Sequence, residues 1–139
     1  MKIGILTHPQ SINYGGILQC YALSTYLRKE GPDVIVIRRE NNSPTLKRIV
    51  RQVLKIFHIK PYYNKDEAKK GSQIKDFVNK QLVRTTPIYS QQGMQRICSK
   101  YNLKTLIVGS DQVWRRSFAL KYGYNYFLDF ASSDVRKLS

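Results

Sequence analysis

Three stretches near the start decide the fold: Lys2-Ile3-Gly4-Ile5-Leu6-Thr7, then Asn13-Tyr14-Gly15-Gly16 leading into Ile17-Leu18-Gln19-Cys20-Tyr21-Ala22-Leu23, then Val34-Ile35-Val36-Ile37. The first and third are short apolar runs rich in β-formers, as strands buried on both faces of a parallel sheet are. Between them Ile17, Cys20, Tyr21, Ala22, Leu23, Tyr26 and Leu27 give a helical pattern with apolar positions on more than one side. Such a helix is expected to be well buried. Gly31 at its C-terminal cap and Pro32 just beyond close it. Strand, helix and strand in under 40 residues make a βαβ unit.

Further along, Leu46, Ile49, Val50, Val53, Leu54 and Phe57 recur at offsets of three and four. They predict an amphipathic helix whose other face carries Lys47, Arg48, Arg51 and Lys55. Lys60 to Ser72 is polar, holds Pro61 and Gly71, and reads as a mobile loop over 60–72. Ile74, Phe77, Val78 and Leu82 mark another helix, Thr85-Thr86-Pro87 interrupts it, and Met94, Ile97, Cys98 and Tyr101 mark a short one. Thr105-Leu106-Ile107-Val108 is another buried strand, ending at Gly109-Ser110-Asp111-Gln112. An aromatic tail follows from Ser117, and Asp134 to Ser139 has the character of an approach to one more strand. The expected class is α/β, a Rossmann-like parallel sheet with flanking helices. The 139 residues suit one domain, 1–139, with a core of its own.

Composition narrows the function classes. No apolar run approaches the roughly 20 residues of a bilayer-spanning helix. The start reads as a buried strand rather than a signal peptide, so a cytoplasmic location is expected. Cys20 and Cys98 fall on apolar helix faces, outside any Cys-x-x-Cys pair, and read as buried thiols. No metal site is expected. Twenty-four Lys and Arg oppose nine Asp and Glu, a net charge of +15. Such a field favours anionic partners: nucleic acid, acidic lipid or phosphorylated substrates. The basic helix face, with Arg38, Arg39 and Lys60 nearby, fits phosphates or peripheral contact with an anionic inner-membrane surface. A solvated helix face is the more usual meaning of such a stripe, and no specific nucleic-acid motif accompanies it.

Ligands of open α/β sheets bind beyond the carboxyl ends of the strands. Two such ends carry polar clusters. At the first, Gly15 and Gly16 leave backbone N–H groups open at a helix N-terminus, where a phosphate or carboxylate binds well. Asn13, Tyr14 and Gln19 add hydrogen-bonding groups, and His8 lies close. The same glycines also suit a tight turn with close helix packing. At the second, Gly109, Ser110, Asp111 and Gln112 follow a buried strand, with Trp114 next. Asp111 suits a general base for a sugar hydroxyl, and equally a helix cap. Trp114 suits stacking on a sugar ring, although a lone Trp is more often core or rim packing. His58 ends the basic helix. No Ser, Cys or carboxylate pairs with either histidine as a triad.

These blocks, Lys2 to Thr7, Asn13 to Leu23, Val108-Gly109-Ser110-Asp111-Gln112-Val113-Trp114 and Tyr126-Phe127-Leu128-Asp129-Phe130, resemble in order and spacing the N-terminal half of the polysaccharide pyruvyl transferase family. The resemblance implies the N-terminal lobe of a GT-B-like, two-lobed architecture. It implies transfer of the group derived from phosphoenolpyruvate onto a saccharide as a ketal, with phosphate released. Phosphoenolpyruvate is then a donor substrate, and no cofactor is implied. In the family, the basic residues and histidine for the donor lie in the C-terminal lobe. The chain is accordingly expected to be an acceptor-side lobe, truncated before a second lobe and inactive alone. Its partners would be a saccharide or sugar-phosphate acceptor, and a separate C-terminal lobe or a second copy at the exposed lobe face. The implied site is Asp111 as catalytic base, with Asn13, Tyr14, Gly15, Gly16, Gln19, Gly109, Ser110, Gln112 and Trp114 on the substrate. A different reading is a non-catalytic basic domain on anionic lipid or nucleic acid. A third is a degenerate fragment with no activity.

Overall fold

The computed structural model describes residues 1–8, 13–40, 65–109, 113–115 and 124–139. In chain order these form β1 (Lys2–Leu6), α1 (Tyr14–Lys29), β2 (Asp33–Ile37), α2 (Lys65–Gln81), α3 (Gln91–Gln95), α4 (Ile97–Tyr101), β3 (Thr105–Val108), a 3-10 turn (Asn125–Phe127) and β4 (Arg136–Leu138). The expected basic helix over Leu46 to Phe57, His58 and the Ser110-Asp111-Gln112 loop lie outside the described residues.

The sheet is all parallel, in the order β2-β1-β3-β4. β1 is central because Ile3, Ile5 and Leu6 can be buried on both faces. It pairs Lys2 with Asp33 through Leu6 with Ile37, and Ile3 with Thr105 through Leu6 with Val108. Alternation along the strands sorts the core into two layers. Ile3, Ile5, Val34 and Val36 face α1 and α2, meeting Ile17, Cys20, Ile74, Val78 and Leu82. Leu6, Ile35, Ile37, Leu106 and Val108 face the other way, onto Met94, Ile97, Leu103, Tyr126 and Phe130. This is a three-layer α/β/α, Rossmann-like arrangement, as expected.

Residues 83–88 close the outer edge of β2. Val36 N–H donates to Val83 O at 2.9 Å, Thr85 N–H to Val36 O at 3.0 Å and Ile88 N–H to Arg38 O at 2.8 Å. Thr85 Oγ1 accepts the Arg38 N–H at 3.0 Å. Pro87 sits within this stretch, where a missing donor is tolerated because the segment is itself an edge. The interruption at Thr85-Thr86-Pro87 is thus an edge segment that caps the sheet.

Two expectations change. The loop expected over 60–72 is helical from Lys65 onward, since α2 begins there. Lys65-Asp66-Glu67-Ala68-Lys69-Lys70 consists mostly of good helix formers. The burial of α1 is also narrower than its composition suggests. Ile17, Cys20 and Ser24 are buried, but Tyr14, Leu18 and Tyr26 are exposed. The helix lies on one face of the sheet, so only one stripe of its apolar residues finds a partner.

Candidate functional site

The described polar features converge on the carboxyl edge of the sheet, where β1, β2 and β3 end. Thr7 and His8 continue β1, Arg38 and Arg39 continue β2, and Gly109 continues β3. Gly109 N–H donates to Leu6 O at 3.1 Å, so the β1–β3 ladder runs out to this edge. Asn13 caps α1 here: its Oδ1 accepts the Gly16 N–H at 3.2 Å, and its carbonyl accepts the Ile17 N–H at 3.1 Å. An Asx cap of this kind sets where the helix starts. Gly15 and Gly16 then form its first turn, and a Cβ on either would meet only the Asn13 side chain, at 3.5 Å.

A cleft of about 160 Å³ opens between the ends of β1 and β3 and the side of α1. Its lining is Ile5, Thr7, Gln19, Cys20, Leu23 and Gly109. It thus joins the two strand ends singled out in the sequence, with Gln19 and Gly109 on facing walls. A Cβ on Gly109 would stand 3.7 Å from Leu23 Cδ2, reaching into the cleft. Thr7 and Gln19 offer neutral hydrogen-bonding groups, and no cation belongs to this described lining.

Cys20 lies in the same wall. Burial pushes its thiol from 9.0 up to about 12, with Arg28 opposing only in part. It is therefore protonated at neutral pH and is no nucleophile there. Burial likewise raises Cys98. Native chain is expected to react slowly with iodoacetamide at pH 7, and unfolded chain quickly. The raised folded value also fixes the sign of a pH effect. Its stabilising contribution is whole below pH 9.0 and fades as pH rises toward about 12. Urea midpoints should therefore fall more steeply over that window in wild type than in Cys20→Ala; parallel slopes would contradict the assignment.

The other expected site residues divide. Tyr14 does not reach the cleft; it lines a separate apolar depression of about 220 Å³ with Ile17, Leu18, Gln73, Ile74 and Phe77, where α1 meets α2. Trp114 lies across the end of β3 from the cleft, its Nε1–H donating to Tyr126 O at 3.2 Å. Ser110, Asp111 and Gln112 lie outside the described residues.

A buried polar network at this edge was not foreseen. Arg39 is buried, whereas it was counted as a surface cation for phosphates. Its Nε–H donates to Asn125 Oδ1 at 2.9 Å, and its Nη1 donates to Glu40 O at 2.8 Å and Ile88 O at 3.2 Å. Asn125, fully buried, donates from Nδ2 to Gln91 Oε1 at 2.6 Å and to Asp129 Oδ1 at 3.1 Å. Gln91 Nε2 in turn donates to Asp129 Oδ2 at 3.1 Å. Arg38 forms an ion pair with Glu40 at 2.5 Å. The only hint in the sequence is that Arg39 stands two residues beyond the buried run Val34 to Ile37.

Among the described residues, no helix is long and apolar enough to cross a membrane. Compared with known families, residues 13–138 match the family model described as polysaccharide pyruvyl transferase. No curated protein matches the chain at a significant level.

Proposed function

The chain belongs to the polysaccharide pyruvyl transferase family, which implies a saccharide acceptor, and from that premise we propose that it forms the acceptor-side lobe for ketal transfer from phosphoenolpyruvate. The observation that carries this is the lining of the β1–β3 cleft. Phosphoenolpyruvate brings a phosphate and a carboxylate, and both call for cations. Thr7 and Gln19 are neutral donors and acceptors beside apolar Ile5 and Leu23, a combination suited to a sugar face and its hydroxyls.

The chemistry divides accordingly. A proton adds to the methylene carbon of the enol, one sugar hydroxyl bonds to the central carbon, and a second hydroxyl displaces phosphate. One hydroxyl proton replaces that given to the methylene carbon, and the other leaves with phosphate. Asp111, two residues beyond Gly109 in sequence, is the group we assign to accept a hydroxyl proton. Gln19, Thr7 and Gly109 position the sugar. The donor's phosphate and carboxylate call for cations, and none belongs to the described lining of the cleft.

The test is binding on the purified chain. Saccharide should bind by ligand-observed NMR, weaken about tenfold in Gln19→Ala through loss of polar contacts, and weaken in Asp111→Ala. Binding indifferent to Gln19→Ala would remove the cleft from the proposal. Of the cations that would serve a basic lipid or nucleic-acid surface, Arg39 is buried and Arg38 is paired with Glu40, while Lys47, Arg48, Arg51, Lys55 and Lys60 lie outside the described residues.

A further inference from the structure

From Tyr14 to Leu27, α1 contains no Asp, Glu, Lys or Arg, in a chain where 24% of residues are charged. Burial against the sheet accounts for one side of the helix, that of Ile17, Cys20 and Ser24. It does not account for the other. At about 100° per residue, Leu18, Ala22 and Tyr26 lie on the side opposite that buried stripe. Leu18 is 55% exposed and Tyr26 62%, and Ala22 between them is exposed as well. The outward face of a surface helix ordinarily carries charge. This one carries two large apolar side chains around a small one.

Charge, shape and size choose what covers it. The chain is +15, so most of its faces repel a second copy of itself. Over this stretch two copies meet without opposing cations, and Arg28 and Lys29 come only in the last turn. An acidic protein, a nucleic acid or an anionic bilayer would be held by cations, which this face lacks. Leu18, Ala22 and Tyr26 also form a single i, i+4, i+8 ridge. Two such ridges interdigitate at a crossing angle of about 50°. With Ala22 at the crossing, two antiparallel helices approach closely, and Leu18 of one copy meets Tyr26 of the other on both sides of the two-fold axis. Tyr14 and Leu18 add the rim of the depression of about 220 Å³ beside α2. Large side chains about half exposed give such a pair roughly 1,000 Å² in all, the lower limit for a specific interface.

We propose that the outward face of α1 is a self-association surface, on which two copies of the chain pair about a two-fold axis at Ala22. None of Leu18, Ala22 and Tyr26 lines the cleft, so the proposal stands apart from the acceptor reading.

Sedimentation equilibrium of the full chain, at 0.15 and 0.5 M NaCl, tests it. A reversible monomer–dimer equilibrium with a Kd on the order of 100 µM is expected. It should tighten several-fold at the higher salt, as screening relieves the repulsion between two basic chains. Leu18→Gln should weaken it about tenfold through lost apolar burial. Ala22→Lys, an exposed change to another good helix former, should leave the circular dichroism melt in place and the chain monomeric. Mixing the Ala22→Lys chain with the Ala22→Glu chain should restore a dimer, since the two substituted positions face each other. A chain monomeric up to 500 µM at both salts would overturn the proposal. So would a dimer indifferent to Ala22→Lys and Leu18→Gln, or association that weakens as salt rises. Failure of the mixed chains to pair would overturn the crossing at Ala22. Binding of the wild-type chain to phosphatidylglycerol vesicles that is lost in Leu18→Gln would assign the face to a membrane instead.

Discussion

Asn125→Ala is expected to lower the melting temperature by about 10 °C. The side chain it removes is fully buried and joins the 3-10 turn to the end of β2 and the start of α3. Its oxygen accepts from Arg39 at the end of β2, and its nitrogen donates to Gln91 at the start of α3 and to Asp129 beyond the 3-10 turn. Alanine leaves the Arg39 Nε–H, a charged buried donor, without that acceptor. Loss of the acceptor of a buried charged donor costs about 3 kcal/mol. For a domain of this length that corresponds to roughly 10 °C. Arg39→Met removes the cation together with its need for a partner and should cost less, about 1 to 2 kcal/mol. Circular dichroism melts of the two variants decide it: a shift in Asn125→Ala no larger than that in Arg39→Met would contradict the network's importance. Because Tyr126, next in sequence, supplies the carbonyl that holds Trp114, Asn125→Ala should also shift Trp114 emission toward that of a solvated indole.

β1, β2 and β3 were legible because each is an apolar, β-rich run, as a parallel sheet covered on both faces demands, whereas β4 is the exposed Arg136-Lys137-Leu138 and carries no such pattern. The start of α1 is legible in Gly15-Gly16, but the Gly16 N–H expected to be open to an anion is taken by Asn13 Oδ1, which caps the helix instead. What stayed hidden depends on distant partners. Arg39 is buried because Asn125, 86 positions away, accepts from it. Nothing within reach of Arg39 in sequence announces that. Which side of the β3 end Trp114 takes was equally hidden: the order Gly109 to Trp114 fixes proximity to the edge but not the face. Gln19 and Trp114 therefore looked like members of one cluster and stand in two depressions. The exposure of Tyr14, Leu18 and Tyr26 on α1 shows the same limit, since an apolar helix position declares an appetite for burial and not the presence of a partner.

Gly4→Val is expected to be still more damaging, with at least about 3 kcal/mol lost and a correspondingly lower melting point. Gly4 lies at the centre of β1, paired with Ile35 on one side and Leu106 on the other. A Cβ there would stand 2.8 Å from Leu103 Cδ1, 2.8 Å from Leu106 Cδ2 and 3.2 Å from Ile37 Cδ1. Methyl groups at the ends of side chains yield cheaply only where they have room to turn. Leu103, Leu106 and Ile37 are all buried in the same layer as Met94, Ile97 and Tyr126, so each displacement is passed on. Gly4→Ala should cost about 1 to 3 kcal/mol from overpacking, reduced by the smaller entropy of the unfolded chain. Valine adds two further methyl groups to the same space. The contact geometry also predicts a rescue. Leu103→Ala alone opens a cavity and destabilises, but combined with Gly4→Ala it receives the new methyl group, so the double variant should be more stable than the sum of its parts by about 1 kcal/mol or more. A double-mutant cycle by urea denaturation measures this, and strict additivity would show that the helical layer does not press on Gly4. The consequence reaches the site, because the layer that Gly4 allows to close on the sheet carries Tyr126. A side chain at position 4 should push that layer outward and loosen the grip of Tyr126 on Trp114, 3.2 Å away.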